Sequence, residues 1–526
     1  MLQPFRTYLR DWRRKVKRNA RNAPRDYYHF RKGRCTRLNM KAASTSVKRN
    51  GILIVMLMGA FVTILNQTLM NVALPSIMKD FGITASQGQW LSTGFMLVNG
   101  VMIPMTAFLI ERFTTRQLYL FAMITFAIGT AIGGFATDYT MLIAGRMVQA
   151  IGAGIVMPLL TVVVLNLFPM ERRGRAMGLI GLAMNFAPAI GPTLSGWIVQ
   201  QYDWRNLFFI IIPFAILDIV VAIFLLKNVG KRTFPKLDIL GVIMSTVGFG
   251  SLLLGFSNAG DHDWLTWKVA GFIILGLVVL GIFIRYQTSN KAPLLNFRVF
   301  KYPTFALTTA ISFFVVMGLF GGMLLLPIFL QTVRGFSPLE SGLVLLPGAL
   351  VTAILSPVTG VMFDRFGAKY LSLVGLIIMA GSTFMFTNLD ESTTLTFIII
   401  VQTIRSAGMA MVMMPLQTAA LNSLPLKLAS HGSAMFNTMR QVAGSIGTAA
   451  LITVMSKSAA SFATKLGPAD VIGKTKTDIA NHVLIHGIET AFLVAGILSV
   501  VACVLALFIQ KNRSAMDPIV TKTEKA

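Results

Sequence analysis

Cysteine is nearly absent from this 526-residue chain. Cys35 and Cys503 are the only two, one in a basic tail and the other in an apolar run. So far apart, they form neither a disulfide framework nor a metal site. Charge is also scarce, at 13% of residues where a soluble protein carries about 25%. Acidic residues are the scarcest, 20 against 47 Lys and Arg. The five histidines form no ligand-spaced pairs on a soluble scaffold and nothing resembles a catalytic triad, so an enzyme, a cofactor and a metal are all unexpected. Gly473-Lys474-Thr475 imitates a phosphate loop. However, five residues separate Gly467 from Gly473 where the loop has four, and no strand leads in.

Apolar residues are abundant, at 55% with a mean hydropathy of +0.70. One soluble core could not hide that much apolar surface. The apolar residues fall into runs of about 20, each long enough to cross a hydrocarbon layer of about 30 Å as a helix. Fourteen spans are expected, near 51–74, 90–110, 117–136, 140–168, 176–199, 207–226, 239–257, 268–286, 303–331, 339–362, 369–388, 394–421, 432–455 and 488–509. Alternate connections carry the basic residues, among them Arg112, Arg116, Arg172, Arg173, Arg175, Arg298, Lys301, Arg365 and Lys369. The remaining connections hold acids such as Asp261, Asp263, Asp390 and Glu391. By the positive-inside rule the basic side and both termini are cytoplasmic, which places the chain in the inner membrane. The formal charge of +27 then reflects topology, and no nucleic-acid partner is expected. A long loop at 456–487 fits this rule poorly, since it carries Lys457, Lys465, Lys474 and Lys476 on the outer side.

The chain repeats itself. Leu165-Asn166-x-x-Pro169 recurs as Leu421-Asn422-x-x-Pro425 and Gly152 recurs as Gly408, both 256 residues on; Glu111-Arg112 recurs as Asp364-Arg365, 253 on. A near-constant offset implies two six-helix halves, 50–230 and 291–512, with two inserted helices between them (231–290) and a site at the interface of the halves. Residues 513–526 form a short tail. Residues 1–49 carry 16 Lys or Arg and only two acids. Two readings stay open for them: a polybasic segment resting on anionic lipid, or a start at Met40.

Several motifs sit where a transporter needs them. Gly360-Val-Met-Phe-Asp364-Arg365-Phe-Gly367-Ala-Lys369 joins two spans, its glycines permitting a tight turn and close approach. Asp364 is placed to accept from the free amides of the next helix. The matching stretch in the first half contains Glu111 and Arg112. Arg146-x-x-Gln149-Ala150-x-Gly152-x-Gly154 puts an arginine inside the fourth span, where it needs a partner or water. In the fifth span, Ala187, Gly191 and Ser195 form a small-residue stripe with Pro188, Pro192 and Gly196 interleaved, a surface on which a neighbouring helix can approach closely. These stretches resemble the loop, fourth-helix and fifth-helix motifs of the major facilitator superfamily. With Asn71-Val-Ala-Leu-Pro75, Trp204-Arg205-Asn-Leu-Phe-Phe, Leu237-Asp238-x-x-Gly241, Pro293-Leu-Leu-Asn-Phe-Arg298, Pro338-x-x-x-Gly342 and Asn437-Thr-Met-Arg440-Gln441-Val-Ala-Gly444-Ser445-Ile-Gly447, they resemble its fourteen-helix drug:proton antiporter branch.

The resemblance covers about residues 51–510. It implies an all-α polytopic fold and proton-driven efflux of lipophilic small molecules such as antibiotics, with no cofactor beyond the proton gradient. The resemblance also admits a periplasmic adaptor protein as a partner. Uptake on the same fold, fatty-acid or lipid export, and a membrane sensor that does not transport are the rivals. Asn66, just before Gln67-Thr68, stands where many relatives have aspartate; lincomycin-type exporters share the amide, which cannot titrate. Proton-coupling candidates are therefore Asp218, about eleven residues into the sixth span, Glu489 at the start of the last span, and Arg146. Asn66, Gln67, Gln149, Arg405, Met409, Met413, Asn437 and Arg440 are the expected cavity residues. So few intramembrane acids point away from quaternary cations and toward neutral or weakly amphipathic substrates of the lincosamide kind.

Overall fold

The computed structural model describes residues 31–83, 85–229, 234, 237–259, 263–290, 293–465 and 475–509. It is 87% helical, with no strand among the described residues. Two compact units divide the chain, Met1–Ile52 and Leu53–Ala526. In the first, residues 31–52 are helical, Met40 among them; the remainder of the basic tail lies outside the described residues.

Among the described residues fourteen long helices follow one another: α1 (Arg31–Phe81), α2 (Ala85–Arg112), α3 (Thr115–Gly134), α4 (Tyr139–Leu167), α5 (Arg173–Gln201), α6 (Asn206–Leu225), α7 (Ile239–Asn258), α8 (Phe272–Ser289), α9 (Pro303–Ile328), α10 (Pro338–Phe366), α11 (Ala368–Met385), α12 (Leu395–Asn422), α13 (Ala429–Ala463) and α14 (Lys476–Leu507). Each contains a stretch long and apolar enough to cross a bilayer. The sequence also sets where several of them begin. Thr114 caps α3 and Ser337 caps α10 through reciprocal bonds with Gln117 and Glu340, while Asp138 caps α4 and Asp238 caps α7. One boundary differs from expectation. The segment 456–487 is mostly helix, because α13 runs on to Ala463 and α14 starts at Lys476 behind a Thr475–Asp478 capping box. Polar residues extend both helices there, beyond the apolar stretch that hydropathy detects. Lys474 and the glycines of the loop-like Gly-Lys-Thr run fall outside the described residues.

The repeat is visible in packing. A Cβ on Gly152 of α4 would stand 2.3 Å from the Ala122 carbonyl oxygen of α3. A Cβ on Gly408 of α12 would stand 2.7 Å from the Gly375 carbonyl oxygen of α11. The two glycines thus do the same work in the two halves, bringing neighbouring helix backbones together. The inserted helices form their own pair. Asp238 at the start of α7 accepts from Tyr286, Gln287 and Asn290 of the α8 end, at 3.1, 2.7 and 3.1 Å. Large apolar side chains such as Phe224, Ile274 and Val278 point outward, as lipid contact requires.

Candidate functional site

A cavity of about 220 Å³ lies between the halves. Its first-half wall is Thr63, Ile64 and Gln67 of α1, Asn99 and Ile103 of α2, Ala153, Gly154, Met157 and Pro158 of α4, and Met184 of α5. The second half contributes Val316 and Leu319 of α9 with Asn437, Arg440 and Gln441 of α13. Of the residues expected at the cavity, Gln67, Asn437 and Arg440 line it. Asn99, Gln441, Met157 and Met184 were not anticipated; a single methionine or amide in an apolar run gives no signal of which helix face it occupies.

Asn66 and Gln149 are not at the cavity wall. Both hold Arg146, which is 1% exposed: its Nη1 donates to Asn66 Oδ1 at 2.8 Å and to Gln149 Oε1 at 2.9 Å. Its Nε reaches the Leu91 carbonyl at 3.4 Å, and its guanidinium lies 4.4 Å from the centre of the Phe95 ring. Gln149 in turn donates to Thr130 at 2.8 Å. The buried charge is thus held by amides, a carbonyl and an aromatic face, and no described carboxylate pairs with it. Arg405 sits inside the second half, donating to the Gly318 carbonyl at 3.3 Å and to Gln402 at 3.4 Å. Met409 and Met413 pack with Ile311, Val315, Leu376 and Met379, so this methionine run fills a core.

Asp218 is fully buried, but its place is the junction of α6, α3 and α1, away from the cavity. It is the only carboxylate among the buried side chains described. The Tyr119 oxygen is 2.7 Å from Asp218 Oδ2 and 3.0 Å from the Val55 carbonyl. One phenolic proton cannot fill both contacts; a carboxyl proton donated by Asp218 to the Tyr119 oxygen would complete them. The second carboxyl oxygen, Oδ1, has no partner. Glu489 lies well inside α14, half-buried, beside the backbone amide of Leu389 in the α11–α12 connection.

At the basic end the halves are latched twice. Asp364, at the end of α10, accepts from the backbone amides of Gly174 at 2.8 Å and Arg175 at 3.0 Å. The amides it caps belong to α5 of the opposite half, where the next helix, α11, had been expected. The reason is Gly367, whose φ of 76° turns the chain sharply and leaves the α10 end facing α5. In the symmetry-related contact, Glu111 of α2 accepts from Ser430 at 2.8 Å and lies 3.2 Å from His431 Nε2 on α13. Ser430 and His431 stand 256 residues after Gly174 and Arg175, the offset of the repeat. Arg112 reaches the Phe234 ring and Arg365 is exposed.

Below the Asp364 latch, Gly174, Gly178 and Gly181 of α5 press on Gly360, Pro357 and Ser356 of α10. The stripe of Ala187, Gly191 and Ser195 faces elsewhere. A Cβ on Gly191 would meet Thr68, and Ser195 donates to the Leu69 carbonyl at 2.7 Å. That stripe therefore seats α5 on α1 within the first half. Pro188 is half-buried and Gly196 lies near Leu339, while the Pro192 side chain is outside the described residues. At the other end, Asp80 accepts from Trp204 at 3.1 Å and from Arg205 at 3.0 Å. The indole bond, with the adjoining guanidinium, holds the Asp80 carboxyl below its ordinary value.

The family profile that matches this chain, over residues 56–448, is that of the Major Facilitator Superfamily. The transporter YcnB of Bacillus subtilis, itself uncharacterized, is 45% identical over 90% of this chain and 98% of its own length. The lincomycin resistance protein LmrB of Bacillus subtilis is 39% identical over 89% of this chain and 97% of its own. The crystal structure of the human organic anion transporter MFSD10 (TETRAN) shares the fold, with a TM-score of 0.62 at 14% identity over 87% of this chain and 99% of that one.

Proposed function

The chain belongs to the Major Facilitator Superfamily, and from that membership we propose that it exports lipophilic compounds, lincosamide-like antibiotics among them, from the cytoplasm in exchange for protons. The observation that carries this reading is a mostly apolar cavity enclosed by six helices of both halves, with the basic end latched shut. A cavity walled by two halves can be offered to either side of the membrane in turn if the halves rock. With the arginine-rich end cytoplasmic and both termini inside, the latched conformation is the one closed to the cytoplasm.

The direction rests on the lincomycin-resistance relative. The fifth-span stripe packs within the first half. Asp218 is the proposed proton carrier. It is buried with no counter-cation among the described residues, and its contact with Tyr119 links α6 and α3 to α1, the helix that presents Gln67 to the cavity. A potential of 100 mV contributes about 2.3 kcal/mol per charge, enough for roughly a fiftyfold gradient in a one-charge exchange. Asp218→Asn keeps a donor for the Tyr119 oxygen but cannot titrate. In energised inverted vesicles that variant should bind substrate, permit downhill exchange and lose uphill accumulation. Full accumulation by the variant, or accumulation that survives a protonophore, would refute the coupling scheme.

A further inference from the structure

Arg440 projects to the cavity and makes neither a hydrogen bond nor an ion pair with any described residue. None of the residues lining the cavity is acidic. Two more guanidiniums stand just behind the wall. Arg146 is bonded to Asn66, the neighbour of cavity residue Gln67, and Arg405 to the carbonyl of Gly318, the neighbour of cavity residue Leu319. Neither has a carboxylate partner among the described residues. Asp218, the one buried acid among the described residues, is committed to the α1–α3–α6 junction. The cavity therefore presents a guanidinium that no described side chain balances.

An unpaired guanidinium in a low-dielectric site is costly, and a ligand that brings the missing charge recovers that cost. A cation would be repelled, and a neutral molecule would leave Arg440 as it was. We infer that, within the export reading above, the preferred cargo is an amphipathic monoanion, an apolar body carrying one carboxylate, with Arg440 as the seat of the carboxylate. The planar guanidinium can give a carboxylate two parallel N–H bonds. The Gln67 side chain, also without a partner among the described residues, offers an amide donor from the opposite half. The apolar body lies against Ile64, Ile103, Met157, Met184, Val316 and Leu319. The bound anion thus bridges α1 of one half and α13 of the other. Unbranched Met157 and Met184 let the wall adapt to differently shaped bodies.

The test compares a dansyl-labelled undecanoic acid with its primary amide, which has the same body without the charge. Both are titrated at neutral pH into the full-length protein in phosphatidylcholine nanodiscs, with partition into empty nanodiscs subtracted. The acid should bind about ten- to a hundredfold more tightly than the amide, the yield of one charge-assisted bond. Arg440→Gln should bring the ratio of the two affinities close to one, and Arg440→Lys should restore part of the preference. Equal binding of acid and amide by the unaltered protein would overturn the inference, whether or not the glutamine variant folds. So would an acid preference that survives Arg440→Gln. Because binding needs no gradient, these outcomes are separate from those of the vesicle experiment, which judges export and proton coupling.

Discussion

Adding a single methyl at Gly360 should force the basic end open. A Cβ there stands 2.3 Å from the Gly174 carbonyl oxygen and 3.0 Å from its carbon. Non-bonded heavy atoms rest at about 3.5 Å, so α5 and α10 must separate by about 1 Å. The Asp364 bonds to Gly174 and Arg175, at 2.8 and 3.0 Å, would then pass beyond useful hydrogen-bond length. Keeping the helices together costs about 1–3 kcal/mol of overpacking, and parting them gives up hydrogen bonds to a charged group worth about 1.5–3 kcal/mol each. At about 2 kcal/mol, the weight of the latched state falls roughly thirtyfold. Ser356, 1% exposed behind this contact, reports the change. With Cys35 and Cys503 replaced by serine, Ser356→Cys should react slowly with a polar maleimide applied from the basic side. Adding Gly360→Ala should speed that reaction by about the same factor. Gly281→Ala, where a Cβ meets nothing within 4 Å, is the control and should leave the rate alone. An unchanged rate in a normally folded Gly360→Ala protein would refute the assignment of this contact as the latch.

Gly191→Val meets Thr68 of α1 within the same half, so it should lower the thermal stability of the purified protein, at about 1–3 kcal/mol of overpacking, without speeding the Ser356→Cys reaction. A faster reaction in that variant would mean the stripe takes part in the latch after all. Asn66→Asp places a carboxylate where an amide oxygen now lies 2.8 Å from Arg146, neutralising one of the three guanidiniums around the cavity. It should fold normally and shrink the preference for the dansyl acid over its amide, measured in the same nanodiscs; a preference that grew would contradict the electrostatic account.

The sequence by itself determined the spans, the two-fold repeat and the family resemblance, because each is written along one dimension. An apolar run of about 20 residues must form a helix in lipid, where no other spanning segment satisfies its own backbone. Repeat offsets and capping residues are likewise local. The sequence also marked Glu111 and Asp364 as counterparts, but it could not show that each reaches across to the other half. That depends on how Gly367 turns the chain and how the halves meet. Two glycine-rich faces of α5 illustrate the limit. At about 100° per residue, Gly174, Gly178, Gly181 and Asn185 share one narrow sector, while Ala187, Gly191 and Ser195 lie well round the helix from it. Helical periodicity could have separated those two faces. Only the tertiary structure decided which of them met α10 and which met α1, because a close-packing surface does not name its partner. The same holds for the charged residues: burial of Asp218, Arg146 and Arg405 was legible from depth, whereas the fact that Arg440 alone faces the cavity depends on the rotation of α13 against its neighbours.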